Sequence, residues 1–325
     1  MSTDLLSAVL RDTGFSRRLL DLSELTDAQA LRFPCERSMG LHLVLRGPVY
    51  LHTPELDEPL RLGSGDIAIM ARGHHHVLST RAALEGQAVE PIRVPGTALG
   101  HAPADAPSAA ATAAATVLSG AYQFWHLPLH PFFAEMPTWT VLPAAELSRL
   151  DPLALAGGLL ADELRGRGAP GADIAMQGLL DVVFTYALRH VIAGCAADRA
   201  GWSQAQGDPQ IGRVVALMHE QPTHGWTLDE LARRAGLSRT ALAERFRATM
   251  GDTPLNHLRT LRMQRAVQLL AETDRPLESV ATAVGYQDAF SFSKVFKRSV
   301  GLSPRAFRQL DAAERLHPWR FPRAG

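Results

Sequence analysis

The sequence predicts an α+β protein in two parts: a front half of short strands with helices behind them, and an all-helical last third. Three observations carry this. Residues 40–94 hold apolar runs of about five residues punctuated by Gly and Pro, the pattern of a small antiparallel sandwich or barrel. After Pro143 the apolar residues recur at helical spacing. The last hundred or so residues contain an internal repeat. A chain of 325 residues has room for two domains, and 46% hydrophobic with 20% charged residues is ordinary globular composition.

The elements follow in order. Leu41-His42-Leu43-Val44-Leu45 runs into Gly47-Pro48, and Val49-Tyr50-Leu51-His52 runs into Pro54. Gly63-Ser64-Gly65-Asp66 reads as a turn ahead of the strand Ile67-Ala68-Ile69-Met70. Residues 97–116 turn to Ala, Pro and Ser, and Pro103 and Pro107 argue against a helix, so the stretch reads as a loop inside the first domain. Strands resume at Val117-Leu118 and Thr140-Val141-Leu142. Then Leu153, Leu160 and Leu164 share a helical face ahead of Gly166, and Met176, Leu180, Val183, Ala187 and Val191 continue at steps of 3 or 4. These helices read as a dimerisation or coupling unit, or as packing on the strands. The implied organisation is a domain over 1–195, a linker over 196–208, a helical domain over 209–310 and a tail over 311–325.

Charge divides along the same boundary. The whole chain has 33 Lys+Arg against 33 Asp+Glu, yet Asp208 to Leu310 holds 15 basic and 10 acidic residues, a net of +5 against −5 for the rest. The only lysines, Lys294 and Lys297, lie in that basic third. Such an offset suits a polyanion partner for the last third. Two cysteines, Cys35 and Cys195, exclude a disulfide scaffold. The N-terminus carries Asp4 and no cationic run, so no signal peptide is expected. Asp181, Arg189 and His190 interrupt the longest apolar stretch, so no membrane span is expected and the default compartment is the cytoplasm.

The repeat is the strongest signal. Its first copy runs from Thr227 through Gly236 to Phe246, the second from Pro276 through Gly285 to Phe296. In both, an Ala stands four before the Gly (Ala232, Ala281), and an apolar pair at i, i+4 follows (Leu242/Phe246, Phe292/Phe296). This fits a helix-turn-helix. The small residue permits close helix crossing, glycine supplies the positive φ of the turn, and the i, i+4 pair buries one face and frees the other. Thr227 and Ser238 are natural N-caps, with Glu230 three residues after Thr227. Glycines 49 residues apart, joined by a long helix from Pro254 to Ala271, make a doubled motif.

Residues 209–308 resemble the AraC/XylS family of transcriptional regulators. The stretch from Val284 to Arg308 follows that family's signature nearly position for position, Phe292 standing where Leu or Phe is common. The resemblance implies double-stranded DNA as partner, with recognition helices at Ser238–Ala248 and Asp288–Ser299 entering successive major-groove segments. It places Thr240, Ala243, Glu244, Ser291 and Lys294 at base-contacting positions. Lys294 suits guanine and Glu244 cytosine N4, while Ala243 offers only a methyl contact. Arg239, Arg247, Lys297 and Arg298 fit phosphate contacts. RNA polymerase and a second copy of the chain are further implied partners.

The front half resembles the cupin-type effector domain of one branch of that family, implying a cupin-like β-barrel with flanking helices. Gly65-Asp-Ile-Ala-Ile-Met-Ala71-Arg-Gly73-His-His-His76 follows the second cupin motif, with Ala71 in place of proline and His76 at the metal-ligand position. Of the first motif only His42 remains. His42, His74 and His76 are therefore the candidate effector residues, and His42 with His76 the candidate ligands of a transition metal. Alternation along a strand allows His74 and His76 to share a side. Cys35, near Arg32 and Arg37, is a redox candidate; a buried inert thiol is its other reading. No catalytic residue is assigned. The leading expectation is a non-enzymatic, DNA-binding regulator sensing a small molecule, metal or oxidant. The alternatives are a metal-dependent cupin enzyme fused to a DNA-binding domain, and a ligand-independent DNA-binding protein using the cupin only to dimerise.

Overall fold

The computed structural model describes residues 6, 18–34, 38–92, 113–123, 133, 136–148, 151–166, 169–194 and 201–313. They fall into two compact units, one carrying the strands and the two helices after them, the other the helices from residue 201 onward.

The strands are β1 (Arg18–Leu25), β2 (Gln29–Pro34), β3 (Ser38–Arg46), β4 (Val49–His52), β5 (Leu60–Leu62), β6 (Ile67–Met70), β7 (His75–Ser79), β8 (Ala88–Pro91), β9 (Ala115–Gln123) and β10 (Trp139–Leu142). They form two five-stranded sheets, ordered β1-β9-β3-β6-β10 and β5-β4-β7-β2-β8. Two differences from the sequence reading stand out. β9 begins at Ala115, so the expected loop gives way to strand at its last two residues. β1 and β2 precede the region expected to hold strands. β1 is an edge strand, paired only with β9, and an edge tolerates the polar Asp21, Ser23 and Glu24 that disguise it.

Period-two alternation sorts the central strands into two buried faces. Val44, Ala68, Met70, Val117 and Ala121 share one core with Phe33, Leu51, Leu62 and Leu78 of the other sheet. The opposite face carries Leu41, Leu43, Ile67 and Ile69, all buried. It lies under helices α1 (Pro152–Arg165) and α2 (Ala172–Gly194). Two glycines set the approach. A Cβ on Gly157 of α1 would meet Leu43 Cδ2 at 2.7 Å, and one on Gly120 of β9 would meet Leu180 Cδ1 of α2 at 2.5 Å. The Tyr122 hydroxyl donates to the Asp181 carboxylate, and Phe184 packs edge-on to Tyr122 at 4.6 Å.

The helical unit contains α3 (Trp202–Gly207), α4 (Pro209–Glu220), α5 (Leu228–Ala235), α6 (Arg239–Met250), α7 (Pro254–Glu272), α8 (Leu277–Ala283), α9 (Ala289–Val300) and α10 (Pro304–Ala313). The stretch read as linker thus contains a short helix and ends on a cap: Asp208 Oδ1 accepts from the backbone N–H of Gln210 and Ile211. Its Oδ2 binds Arg245 Nε at 2.6 Å. Among the described residues no helix is long and apolar enough to cross a membrane.

Candidate functional site

The doubled motif folds as two helix-turn-helix units, α5–α6 and α8–α9. Gly236 and Gly285 both adopt left-handed backbone, at φ +69° and +83°. In each, the N–H of the following residue reaches the carbonyl of the conspicuous alanine: Leu237 to Ala232 and Tyr286 to Ala281, both at 2.9 Å. That is the Schellman bond, which closes the first helix. Thr227 caps α5 by accepting from Glu230 N–H, and Ser238 caps α6 by accepting from Ala241 N–H, both at 3.2 Å. The Glu230 carboxylate lies 3.2 Å from His224 Nε2. The second unit differs in one respect. Its recognition helix is capped by Asp288, which accepts from Ser291 N–H at 2.7 Å. The cap therefore stands three residues after the glycine, against two in the first unit.

Leu242, Phe246, Phe292 and Phe296 are fully buried. The opposite faces of α6 and α9 are open. Arg239, Thr240, Glu244, Arg247, Ser291, Lys294, Lys297 and Arg298 are exposed and Ala243 is half-buried. All nine residues expected from the sequence thus lie off the core, on two helices. The nearest acidic group to Arg239 is Asp229, a solvated pair at 3.8 Å that leaves the guanidinium available. Exposed Arg245 is spoken for by Asp208 and by Gln210 Oε1 at 2.6 Å.

In the sheet unit, cross-strand register builds a second site. His42 of β3 stands opposite Ser119 of β9, and its Nδ1 is 2.9 Å from the Ser119 hydroxyl. His76 of β7 stands opposite Phe33 of β2, and the two rings stack at 5.1 Å. The histidines come from different sheets, are 5% and 2% exposed, and meet Nε2 to Nε2 at 2.7 Å. Trp139 of β10 lies edge-on to His76 at 4.9 Å. Its buried indole N–H has no hydrogen-bond partner among the described residues. His42 and His76 therefore occupy positions that the strand pattern reserves for apolar core.

The contacts fix the protons. His76 Nδ1 is 2.9 Å from the His74 carbonyl, which can only accept, so Nδ1 carries the hydrogen. In the neutral ring, His76 Nε2 is then the acceptor and His42 Nε2 the donor. His42 Nδ1 must accept from the Ser119 hydroxyl. One chain of hydrogen bonds results: Ser119 to His42 to His76 to the His74 carbonyl. A further proton on His76 Nε2 would set two donors face to face across the 2.7 Å contact. Burial is the main cause holding His42 well below its ordinary value, reinforced by His76. Burial likewise pulls His76 from 6.5 to about 4, against the pull of the His74 carbonyl.

A lowered folded-state pKa means that the unfolded chain binds more protons between those two values. The stabilisation is present above about pH 6.5 and lost as pH falls toward 4. For His76 the shift corresponds to about 3 kcal/mol. Thermal melts between pH 7 and pH 4 should show this loss, and a His76→Leu variant should show a shallower slope. Parallel slopes would contradict it.

His74 is not brought to this site. The strand starts at His75, so alternation does not extend to His74, whose Nδ1 pairs with Glu55 Oε1 at 2.5 Å at the surface. Its contribution is the backbone carbonyl. Cys35 lies outside the described residues. His42 and His76 fit the start of a metal site, since loss of the shared proton would leave two lone pairs converging. Among the described residues no group of three or more His, Cys, Asp or Glu side chains is gathered to complete one. Sequence reasoning found the two histidines and missed Ser119, Phe33 and Trp139, which only strand register reveals.

A doubled helix-turn-helix with open, basic recognition helices defines a DNA-binding protein. Residues 4–193 match the family model described as Cupin, and residues 231–310 the model described as a helix-turn-helix domain. An AraC-like transcription regulator of Streptomyces lividans is 27% identical over 283 residues, covering 86% of this chain and 90% of the relative. The RCS-specific transcriptional activator RclR of Escherichia coli is 36% identical over 140 residues, covering 43% of this chain and 49% of that protein. The solved DNA-binding domain of AdpA, in complex with a target DNA, is 34% identical, covering 32% of this chain and 94% of that one at a TM-score of 0.31. The chain belongs to the AraC-type transcriptional regulators with an N-terminal cupin domain: a sequence-specific DNA-binding regulator.

Proposed function

We propose that the protein is a cytoplasmic, signal-responsive regulator whose signal is received at the His42–His76 pair. The observation that carries this is the proton chain joining two sheets inside an aromatic core. Apolar residues would pack such a core at lower cost. A transition-metal ion or a small hydrogen-bonding molecule would each break the 2.7 Å contact. Trp139 offers an acceptor-bearing ligand a ready donor. The route outward is short. Leu41 and Leu43 flank His42 on β3, and Leu43 lies against Gly157 of α1. The outer faces of α1 and α2 expose Leu155, Leu159, Ile174 and Val182, apolar surface suited to a second copy of the chain. A coupling of about 1–3 kcal/mol between pocket and DNA affinity gives a 5- to 150-fold response.

The test is a His42→Ala/His76→Ala double variant, assayed for induction in cells and for DNA affinity in parallel. Lost response with intact basal binding supports the pocket. A retained response refutes it and moves the search to Cys35, through Cys35→Ser under oxidant.

For the DNA interface, the expected reading keeps Glu244 and Lys294 on bases and the arginines with Lys297 on phosphates. RNA polymerase is the further partner. Log affinity should fall linearly with log salt as counterions are released. Lys294→Ala should cost about 1–3 kcal/mol and relax specificity at one base pair. A loss equal across all operator variants would reassign Lys294 to phosphate.

A further inference from the structure

Phe290 is 82% exposed, more than any other exposed large apolar side chain among the described residues. Single exposed apolar residues are common on protein surfaces and need no explanation. What makes this one informative is its place. Counted from the caps, Phe290 is the second residue of α9, after Asp288, and Thr240 is the second residue of α6, after Ser238. The glycines hide this equivalence because the second turn is one residue longer. Counting from the caps aligns the rest of the two helices: Leu242 with Phe292, Phe246 with Phe296, Glu244 with Lys294, and the closing Gly251 with Gly301.

The first turn of a recognition helix is the part that reaches base edges. Phe290 stands there one turn before Lys294, on a face whose other charges are Lys297 and Arg298. An aromatic ring at that place has no hydrogen bond to offer a base. The base-edge group it can recognise is the thymine C5-methyl, which apolar side chains contact in the major groove.

We propose that Phe290 is a specificity-determining residue that packs on a thymine methyl in the segment read by α9. This rests on the DNA-binding reading of the helical domain. It adds an apolar reader to polar Ser291 and Lys294, so the second segment contains a required thymine.

The test uses the full-length protein and duplexes recovered by repeated selection from random-sequence DNA. Each thymine of the selected site is replaced in turn by deoxyuridine, which removes only the methyl. At one or two adjacent positions the parent should bind about fourfold more weakly without the methyl, the worth of one buried methylene-sized group. Phe290→Ala should bind both duplexes alike, and Phe290→Leu should retain part of the difference. The ring is exposed, so an unchanged melting temperature is expected and shows that the fold is intact. A parent indifferent to the methyl at every thymine overturns the proposal. So does a Phe290→Ala variant that keeps the full methyl effect, or one that binds DNA as the parent does and loses only transcriptional output, which would point to a protein partner. Failure to select any sequence counts instead against the DNA-binding reading itself.

Discussion

Gly285→Val is expected to unfold the second helix-turn-helix, whereas Gly236→Val should only weaken the first. Both glycines are left-handed, at φ +83° and +69°, so a β-branched side chain is strained at either. The surroundings separate them. Nothing lies within 4 Å of a Cβ built on Gly236, whose cost is the backbone penalty alone, about 1–2 kcal/mol. A Cβ on Gly285 would meet the Thr223 carbonyl oxygen at 2.9 Å and Arg262 Cζ at 3.1 Å. Neither neighbour is free to move. Arg262 donates to the carbonyls of Pro222 and His224, each at 2.7 Å, and so ties α7 to the loop ahead of the first motif. Strain and lost hydrogen bonds together should cost Gly285→Val about 3–5 kcal/mol. Thermal melts and DNA affinity of the two variants check this, and equal losses would show that the crowding at Gly285 is relieved cheaply.

The contrast illustrates what the sequence conveys and what it does not. A repeated Ala–Gly–apolar spacing is enough to place both turns, because left-handed backbone and the i, i+4 pair are local requirements. That Gly285 is wedged against Thr223 and Arg262 is a tertiary fact, without a local signature. The caps behave similarly. Ser238 is legible as a cap, but the extra residue before Asp288 shifts the second recognition helix by one position relative to its glycine. Alignment by glycines therefore pairs Phe290 with Ala241 and conceals its likeness to Thr240. In the sheet unit, a histidine inside the apolar run Leu41–Leu45 and another after Gly73 are conspicuous. Phe33, Ser119 and Trp139 look like any strand residues until register sets them around that pair. Alternation would set His74 beside His76 only within one strand, and the strand begins one residue later, at His75.

The buried histidines should show strong energetic coupling at pH 8, where both are neutral. His42→Leu leaves the His76 Nε2 lone pair and the Ser119 hydroxyl without their partner. His76→Leu leaves the His42 Nε2 hydrogen and the His74 carbonyl without theirs. Each orphaned buried group costs about 1–3 kcal/mol. The double variant removes both halves of the central bond and leaves an apolar pair between Phe33 and Trp139. Replacing both partners of a buried polar contact by apolar groups of similar shape is close to neutral. The double variant is spared two of the four orphaned groups and should be more stable than the sum of the singles implies, by about 2–6 kcal/mol. Chemical denaturation of the four proteins closes the cycle, and additive losses would mean that the 2.7 Å contact carries no energy of its own. A double variant as stable as the parent, yet unresponsive to signal, would separate the two roles of the pair: the fold does not need these histidines, and the response does.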